Sequence, residues 1–259
     1  MIPSPPVEFR TPAAAGASRQ PSFSARSVTL RLFLTCWIIY ALHVTTNVAR
    51  EVYPALALGD HLSFRVDEYA GLHPDLFERP GYGWHINANP GASILAAIPY
   101  AVFRPAIDAV AVEVNRRRQA RGEANPPSYD SPWPLARAFY QEAWRRGLDI
   151  KLGLAAALMQ VLAMAPISAW GVTAMFWFLR RSTGSGQTAL WLAILYAFGT
   201  PVFFRTGYLN HNLKVGHFAF LGFYALWRPA LRWGWPARSR VLLAGMAGGR
   251  AFCSIMWGS

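Results

Sequence analysis

Between Arg65 and Tyr100 the chain reads RVDEYAGLHPDLFERPGYGWHINANPGASILAAIPY, the one long segment dense in groups able to do chemistry. It holds Asp67, Glu68, His73, Asp75, Glu78 and His85 among Gly and Pro punctuation. Asp67 and Glu68 are adjacent acids that follow a short apolar, strand-like piece. On a helix, neighbours point about 100° apart, so at most one of the two faces a given ligand. An acid in such a place can act as general base toward an acceptor hydroxyl or amine, bind a metal, or simply solvate a loop. His73-Pro-Asp75 and Trp84-His85 bring imidazoles close to these acids. No H-x-x-x-H or H-E-x-x-H spacing is present, so no metal site is expected, and both histidines read as structural hydrogen-bonders. In Asn87-Ala-Asn-Pro-Gly-Ala-Ser93, Pro90 suits a first helical position and Asn89 its cap. A helix start at Asn89, Gly91 and Ser93 presents free N–H groups that favour anions, phosphate included, although many helices begin this way with no ligand. Farther on, Asn210, Lys214 and His217 fall at i, i+4 and i+7, a polar stripe on an otherwise apolar segment. A lysine there is costly unless it snorkels or pairs. It would meet a lipid-linked phosphate, a carboxylate such as Asp67, or headgroups, and His211 is placed to donate to the same anion.

The elements that must position these groups read as membrane. The chain has 259 residues, 53% hydrophobic and only 15% charged, against about 25% charged in soluble domains. The net charge of +12 is almost wholly arginine, Lys151 and Lys214 being the lysines. Those arginines flank apolar runs, where the positive-inside rule and phospholipid headgroups place them, and nucleic acid is not an expected partner. Cys36 and Cys253 both lie in apolar runs and read as small hydrophobes rather than as a disulfide or metal ligands. Residues 1–27, rich in Pro, Ser, Ala and Arg, read as a disordered cytoplasmic tail. Residues 28–50 hold the first transmembrane helix, Leu32 to Ala49, an uncleaved anchor rather than a signal peptide. Residues 51–147 form a large external loop. In it Gly91 to Val114, interrupted by Arg104, Pro105 and Asp108, reads as an interfacial helix pair. Leu135 to Gly147, LARAFYQEAWRRG, reads as an amphipathic helix.

Residues 148–259 carry transmembrane helices two to five, the last truncated. The uncharged run Leu152 to Leu179, with a kink or tilt at Pro166, is the clearest of them. Gln187–Phe204, Tyr208–Trp227 and Val241–Gly258 follow. With the N-terminus cytoplasmic, the basic turns at Arg180-Arg181 and Arg228–Arg240 fall inside, and Asp67 and Tyr208–Asn212 fall on one external face. The expected fold class is all-α: a polytopic helical membrane protein with about five transmembrane helices and an external loop containing interfacial helices.

This order of features resembles the GT-C superfamily of integral-membrane glycosyltransferases, the group that includes protein O-mannosyltransferases and lipid A aminoarabinose transferase. There a first span is followed closely by an acid in a large external loop with interfacial helices. Val66-Asp-Glu-Tyr69 is similar to that family's D-E-x-x-Y type start, and Asn89-Pro-Gly-Ala-Ser-Ile-Leu95 to its K-x-P-G-x-S-L-L stretch. Ala197-Phe-Gly-Thr-Pro201 with Leu209-Asn-His-Asn212 is similar to a later span pair ending in a polar external turn. The resemblance covers roughly residues 28–230. It implies transfer of a sugar from a polyprenyl-phosphate donor to an acceptor at the external face of a bacterial inner membrane, with Asp67, beside Glu68, as general base. It implies no cofactor. Charge adds Lys214, His211, His217 and the Asn89–Ser93 helix start near the donor phosphate. Because such enzymes are longer, the closing run AGGRAFCSIMWGS leads to the expectation of an N-terminal fragment. Two other readings stand beside this one. The first is a non-catalytic membrane scaffold, or an inactive fragment, whose external loop binds a partner. The second is a transporter with Lys214 and His217 on its pathway, against which stands the lack of an internal repeat.

Overall fold

A computed structural model of the chain describes residues 24–45, 49–123, 125–126, 131–227 and 237–256. The expected tail before residue 24 and the basic turn at 228–236 lie outside these residues. The described chain is predominantly helical. Three of its helices are long and apolar enough to cross a membrane: α1 (Ala25–Leu42), α3 (Pro90–Ala120) and the continuous Asp149–Thr183.

That last helix organises the rest. It consists of α5 (Asp149–Met159), a π-helical turn at Gln160–Met164, and α6 (Ala165–Thr183). Pro166 gives the reason for the turn. A proline inside a helix has no N–H to donate and its ring crowds the carbonyl four residues back. Widening the preceding turn to π geometry accommodates both while the helix continues. The expected run Leu152–Leu179 is thus one helix, longer at both ends. At 1.5 Å per residue, its 35 residues span roughly 50 Å.

Two cores form on either side of the π turn. Below it lies a bundle of α1, α6, α7 (Gly186–Phe198), α8 (Pro201–Thr206), α9 (His211–Trp227) and α10 (Ala237–Met256). Its core is Leu32, Cys36 and Tyr40 against Ala165, Ala169, Val172 and Phe176, closed by Ala189, Ala193 and Ala197. Those three alanines repeat every fourth residue on α7 and are fully buried. Small side chains at that spacing let the α7 backbone approach α6 closely. Cys36 is a buried free thiol. Above the π turn lies a cap of α2 (Val52–His61), α3, α4 (Pro134–Arg145), α5 and a small hairpin. Its core joins Tyr53, Leu56, Tyr69, Tyr100, Leu152 and Met159.

Several expectations change in detail. Gly91–Val114 is not a helix pair: α3 runs unbroken through Pro99 and Pro105 to Ala120. Its side chains bond across to α2 and α5 on both sides of those prolines, which holds the helix together. The piece before Asp67 is helix α2, not a strand. It ends at Leu62, in the left-handed region at φ 53°. Asp67–Tyr69 form one 3-10 turn. An all-helical loop also misses the antiparallel hairpin of β1 (Leu76–Arg79) and β2 (Gly83–Ile86). The first span begins at Ala25 and stops at Leu42. Gln187–Phe204 divides into α7 and α8 at Gly199-Thr200, where Thr200 caps α8 through its side chain. The amphipathic α4 and the helix start at Pro90 stand as expected.

Charge fixes the cap. The Asp60 carboxylate, 2% exposed, lies 2.8 Å from Arg104 Nε and 2.8 Å from Lys151 Nζ. The Tyr100 hydroxyl donates to it at 2.9 Å. Three helices, α2, α3 and α5, therefore meet on one acid. Farther out, Arg118 forms a two-pronged pair with Asp149 at 2.9 and 3.0 Å and lies over the Trp144 ring. Removing one partner of a buried pair leaves the other charge uncompensated, which costs about 3–5 kcal/mol. Asp60→Ala is expected to destabilise the cap by about 3 kcal/mol, read as a fall in the thermal unfolding midpoint in detergent. The exposed neighbour substitution Glu123→Ala is expected to leave that midpoint in place.

Candidate functional site

Three helix starts converge at the seam between bundle and cap, and the groups expected to bind an anion gather there. Glu51 stands at the N-cap of α2, Asn89 at that of α3, and His211 opens α9. Asn210 accepts the Leu213 N–H at 2.9 Å, which starts α9 just past the Tyr208 turn. Its amide also donates to the Tyr208 hydroxyl at 2.8 Å.

Glu51 is the centre of this place. It is 3% exposed. Its carboxylate is in a short contact with His211 Nδ1, and Arg50 Nε lies 3.6 Å away. The Glu51 carbonyl accepts the buried Ser93 hydroxyl at 2.8 Å, which ties the start of α2 to the first turn of α3. Arg50 reaches on to Asp75 at 3.3 Å. Asp75 in turn donates its N–H to His73 Nδ1 at 3.0 Å. Lys214, one turn into α9 and 2% exposed, lies 3.2 Å from the Ala92 carbonyl and 3.4 Å from that of Gly91. The lysine therefore turns inward to the start of α3 instead of snorkelling. Asn89 caps α3 by position alone, because its Oδ1 is buried without a partner among the described residues. The Tyr53 ring stacks edge-on against Tyr69 and His73.

The polar stripe of α9 continues inward. His217 Nε2 lies 3.3 Å from Ser168 Oγ on α6. Gly171 leaves the room for that ring: a Cβ on it would collide with the imidazole. One face of α9 thus carries Asn210, Lys214 and His217, all buried, as the i, i+4, i+7 spacing requires.

Asp67 lies in other company. Its Oδ1 accepts the Trp84 N–H at 2.6 Å, and its Oδ2 meets Arg65 at 2.5 Å. The Trp84 amide first, and Arg65 after it, hold this carboxyl below the usual carboxylate range. Gly83, at φ +86°, passes against Asp67, and a Cβ there would meet both Asp67 and Arg65. The acid therefore fastens the 3-10 turn to β2. Glu68 is exposed, and its backbone carbonyl accepts Arg146 at 3.5 Å. Asp60, His61 and Glu68 bring three possible metal ligands within 4.8 Å of one another. The Asp60 oxygens already face Arg104, Lys151 and Tyr100, so the group reads as part of the ion-pair network.

The structure thus joins Asn89, Gly91, Ser93, His211 and Lys214 in one place and sets His217 one turn below. The acid at their centre is Glu51, while Asp67 and Glu68 belong to the hairpin side of the cap. Glu51 escaped the sequence reading because it stands beside Arg50 and looks like an ordinary span flank. The available signal was an acid directly following a span on the side away from the arginine-rich turns. Comparison with protein-family models, curated proteins and solved structures yields no match to this chain.

Burial holds the His73 imidazole below its ordinary value, against the smaller opposing effect of Asp75. As an acceptor of the Asp75 N–H, the ring is neutral in the folded chain. A group with a depressed folded pKa favours the fold above the unfolded value, about 6.5, and that contribution is lost as pH falls below it. Thermal stability is expected to fall between pH 7 and pH 5. His73→Gln, which keeps an acceptor but no titrating group, is expected to remove part of that slope. An unchanged slope would show that His73 does not titrate with unfolding.

Proposed function

We propose that the bundle spans a bilayer, that the cap rests on its external face, and that the seam transfers a sugar from a polyprenyl-phosphate donor. The observation that carries this reading is the buried Glu51–His211 pair, with Lys214 one turn below it against the start of α3. Ionisable groups buried at membrane depth are expensive and are kept for function. A carboxylate facing an imidazole can take a proton from an acceptor hydroxyl or amine. The acceptor atom would attack the anomeric carbon of the sugar while the carbon–oxygen bond to phosphate breaks. The leaving polyprenyl phosphate would keep the electron pair, and Glu51 the proton. Lys214, Arg50 and the partial positive charge of the α3 start supply the field that favours the phosphate. The resemblance of the chain to GT-C glycosyltransferases supports the same reading, with Glu51, soon after α1, in the role of the family's acid in place of Asp67.

Charge and contact geometry support the topology. Arg26, at the start of α1, and Tyr224, which bonds Arg181, line one groove at the end of the bundle opposite the seam. Positive charge at that end marks it cytoplasmic. The apolar α3 then stays outside. Its start lies at Lys214, and its far end bonds Asp149 and Gly147. Asp149 stands 11 residues of α5 above Gln160, about 16 Å. Gln160 itself donates to the Tyr40 carbonyl at the external end of α1. The far end of α3 thus stands well away from the α1 terminus, and its exposed Ile94, Ile98 and Val102 form a stripe that supports an interfacial placement.

A scaffold is the second reading. It is favoured by a cleft of about 600 Å³ between the Gly71–Pro74 turn and α4, floored by Leu72, Leu135 and Phe139 and edged by Glu142 and Arg145.

Proteoliposomes supplied with labelled polyprenyl-phosphate sugars test the choice. Wild type is expected to release polyprenyl phosphate, and Glu51→Gln to slow release by about 10²- to 10⁴-fold. Asp67→Asn is expected to change it less than about tenfold. Full activity in Glu51→Gln removes the acid from the mechanism. No turnover with any donor, together with capture of an envelope protein that Phe139→Glu abolishes, establishes the scaffold. In intact cells, single cysteines at Asn87, just before α3 and exposed, and at Arg116 are both expected to react with an impermeant maleimide. Protection of Arg116→Cys alone would mean that α3 crosses the membrane.

A further inference from the structure

At the end of the bundle away from the seam, α1 and α9 diverge on either side of α6 and leave a groove of about 470 Å³. Phe33, Trp170, Trp177 and Leu221 line it, with Tyr224 and Arg26 at its mouth. The Trp170 and Leu30 side chains are largely open there, so the groove faces sideways out of the bundle. The charge at the mouth is of one sign. Arg26 is exposed. Arg180 and Arg181 lie over the Trp177 ring, their guanidinium carbons 5.4 and 5.8 Å from its centroid. Arg181 also donates to the Tyr224 hydroxyl. The sequences of α1, α6 and α9 contain no Asp or Glu.

An apolar trough of this size, open to the side and ending in arginines and ring hydroxyls, matches one kind of molecule. It suits an acyl chain along the trough and an anionic headgroup at the mouth. Guanidinium groups favour phosphate through paired hydrogen bonds. Aromatic rings with polar edges sit at headgroup depth, and basic residues there favour anionic over zwitterionic lipid. We propose that this groove is a binding site for one anionic phospholipid of the cytoplasmic leaflet, separate from the seam. It rests on the membrane-spanning reading of the bundle, and not on the chemistry assigned to Glu51.

The test uses the full chain purified in detergent, titrated with phosphatidylglycerol or phosphatidylcholine and read by native mass spectrometry. Wild type is expected to retain one phosphatidylglycerol at about tenfold lower lipid concentration than phosphatidylcholine. Arg26→Glu, which reverses the exposed charge, and Leu221→Trp, which fills the trough, are each expected to bring the two lipids level. Should Leu221→Trp not give folded protein by circular dichroism, Arg26→Glu decides alone. Equal retention of both lipids by wild type overturns the proposal, as does a preference that survives Arg26→Glu. Retention that appears only after removal of residues 1–23 assigns the groove to the N-terminal segment and overturns it too. In each of these cases sugar transfer at the seam is unaffected, so the two readings fail separately.

Discussion

One buried amide holds the two halves of this protein in register. Gln160 is fully buried at the start of the π turn, and its Nε2 donates to the carbonyls of Tyr40 at 2.7 Å and Thr206 at 3.0 Å. Those carbonyls lie at the ends of α1 and α8; that of Tyr40 also accepts the His43 N–H at 3.1 Å, while Gln160 serves that of Thr206. An apolar side chain here would strip the Thr206 carbonyl of this donor, at a cost of about 1–3 kcal/mol. The π turn presents the amide to both at once. Because α5 and α6 continue through the turn as one helix, fixing it fixes the direction in which the cap stands on the bundle. The placement of Glu51 against His211 follows from that direction.

The cap has an extensive core of its own, but apolar contact alone does not select one arrangement of its helices. Its helices are held by charge as well as by apolar contact: Asp60 with Arg104 and Lys151, and Arg118 with Asp149. Buried pairs of this kind add little net stability against well-packed apolar residues, but they penalise every arrangement that separates them. They specify one packing of α2, α3 and α5 among several that apolar surfaces alone would allow. In the bundle the same task falls to shape, with alanines at every fourth position of α7 and a glycine opposite His217.

How much of this was legible in the sequence follows from the kind of interaction. Apolar run length located α1, the long helix and α9, because burial of backbone in lipid or in a core demands unbroken helix. Cap chemistry located the start of α3 at Asn89-Pro90, and i, i+4, i+7 spacing located the buried face of α9. Boundaries that depend on partners far along the chain were not legible. Arg104-Pro105 looked like a break because the sequence does not show that Asp60 and Tyr100 clamp the helix on that side. Glu51 looked like a flank because its burial depends on His211, 160 residues away. Asp67 reads as a base through the resemblance of Val66–Tyr69 to a family motif, and its partners, Trp84 and Arg65, are a backbone amide and a common surface residue. Spacing and cap chemistry thus pointed to the residues that gather at the seam, while the acid among them, Glu51, was not legible.

The difference between those two acids is one of proton traffic. An acid whose oxygens are held by a fixed amide and a guanidinium is stabilised as the anion, and each such bond makes it a weaker base. Asp67 is in that state, and its geometry serves to lock the hairpin. Glu51 faces the His211 imidazole, with the Arg50 guanidinium farther off at 3.6 Å and no backbone amide on its carboxylate among the described residues. On the proposed reading, His211 orients the Glu51 carboxylate, and Lys214 keeps the neighbouring space positive for a departing phosphate. The three groups come from α2 and α9, on opposite sides of the seam. The chemistry therefore depends on the same Gln160 contact that orients the cap, and a chain with the two halves turned apart would keep every residue of the site and lose the site itself.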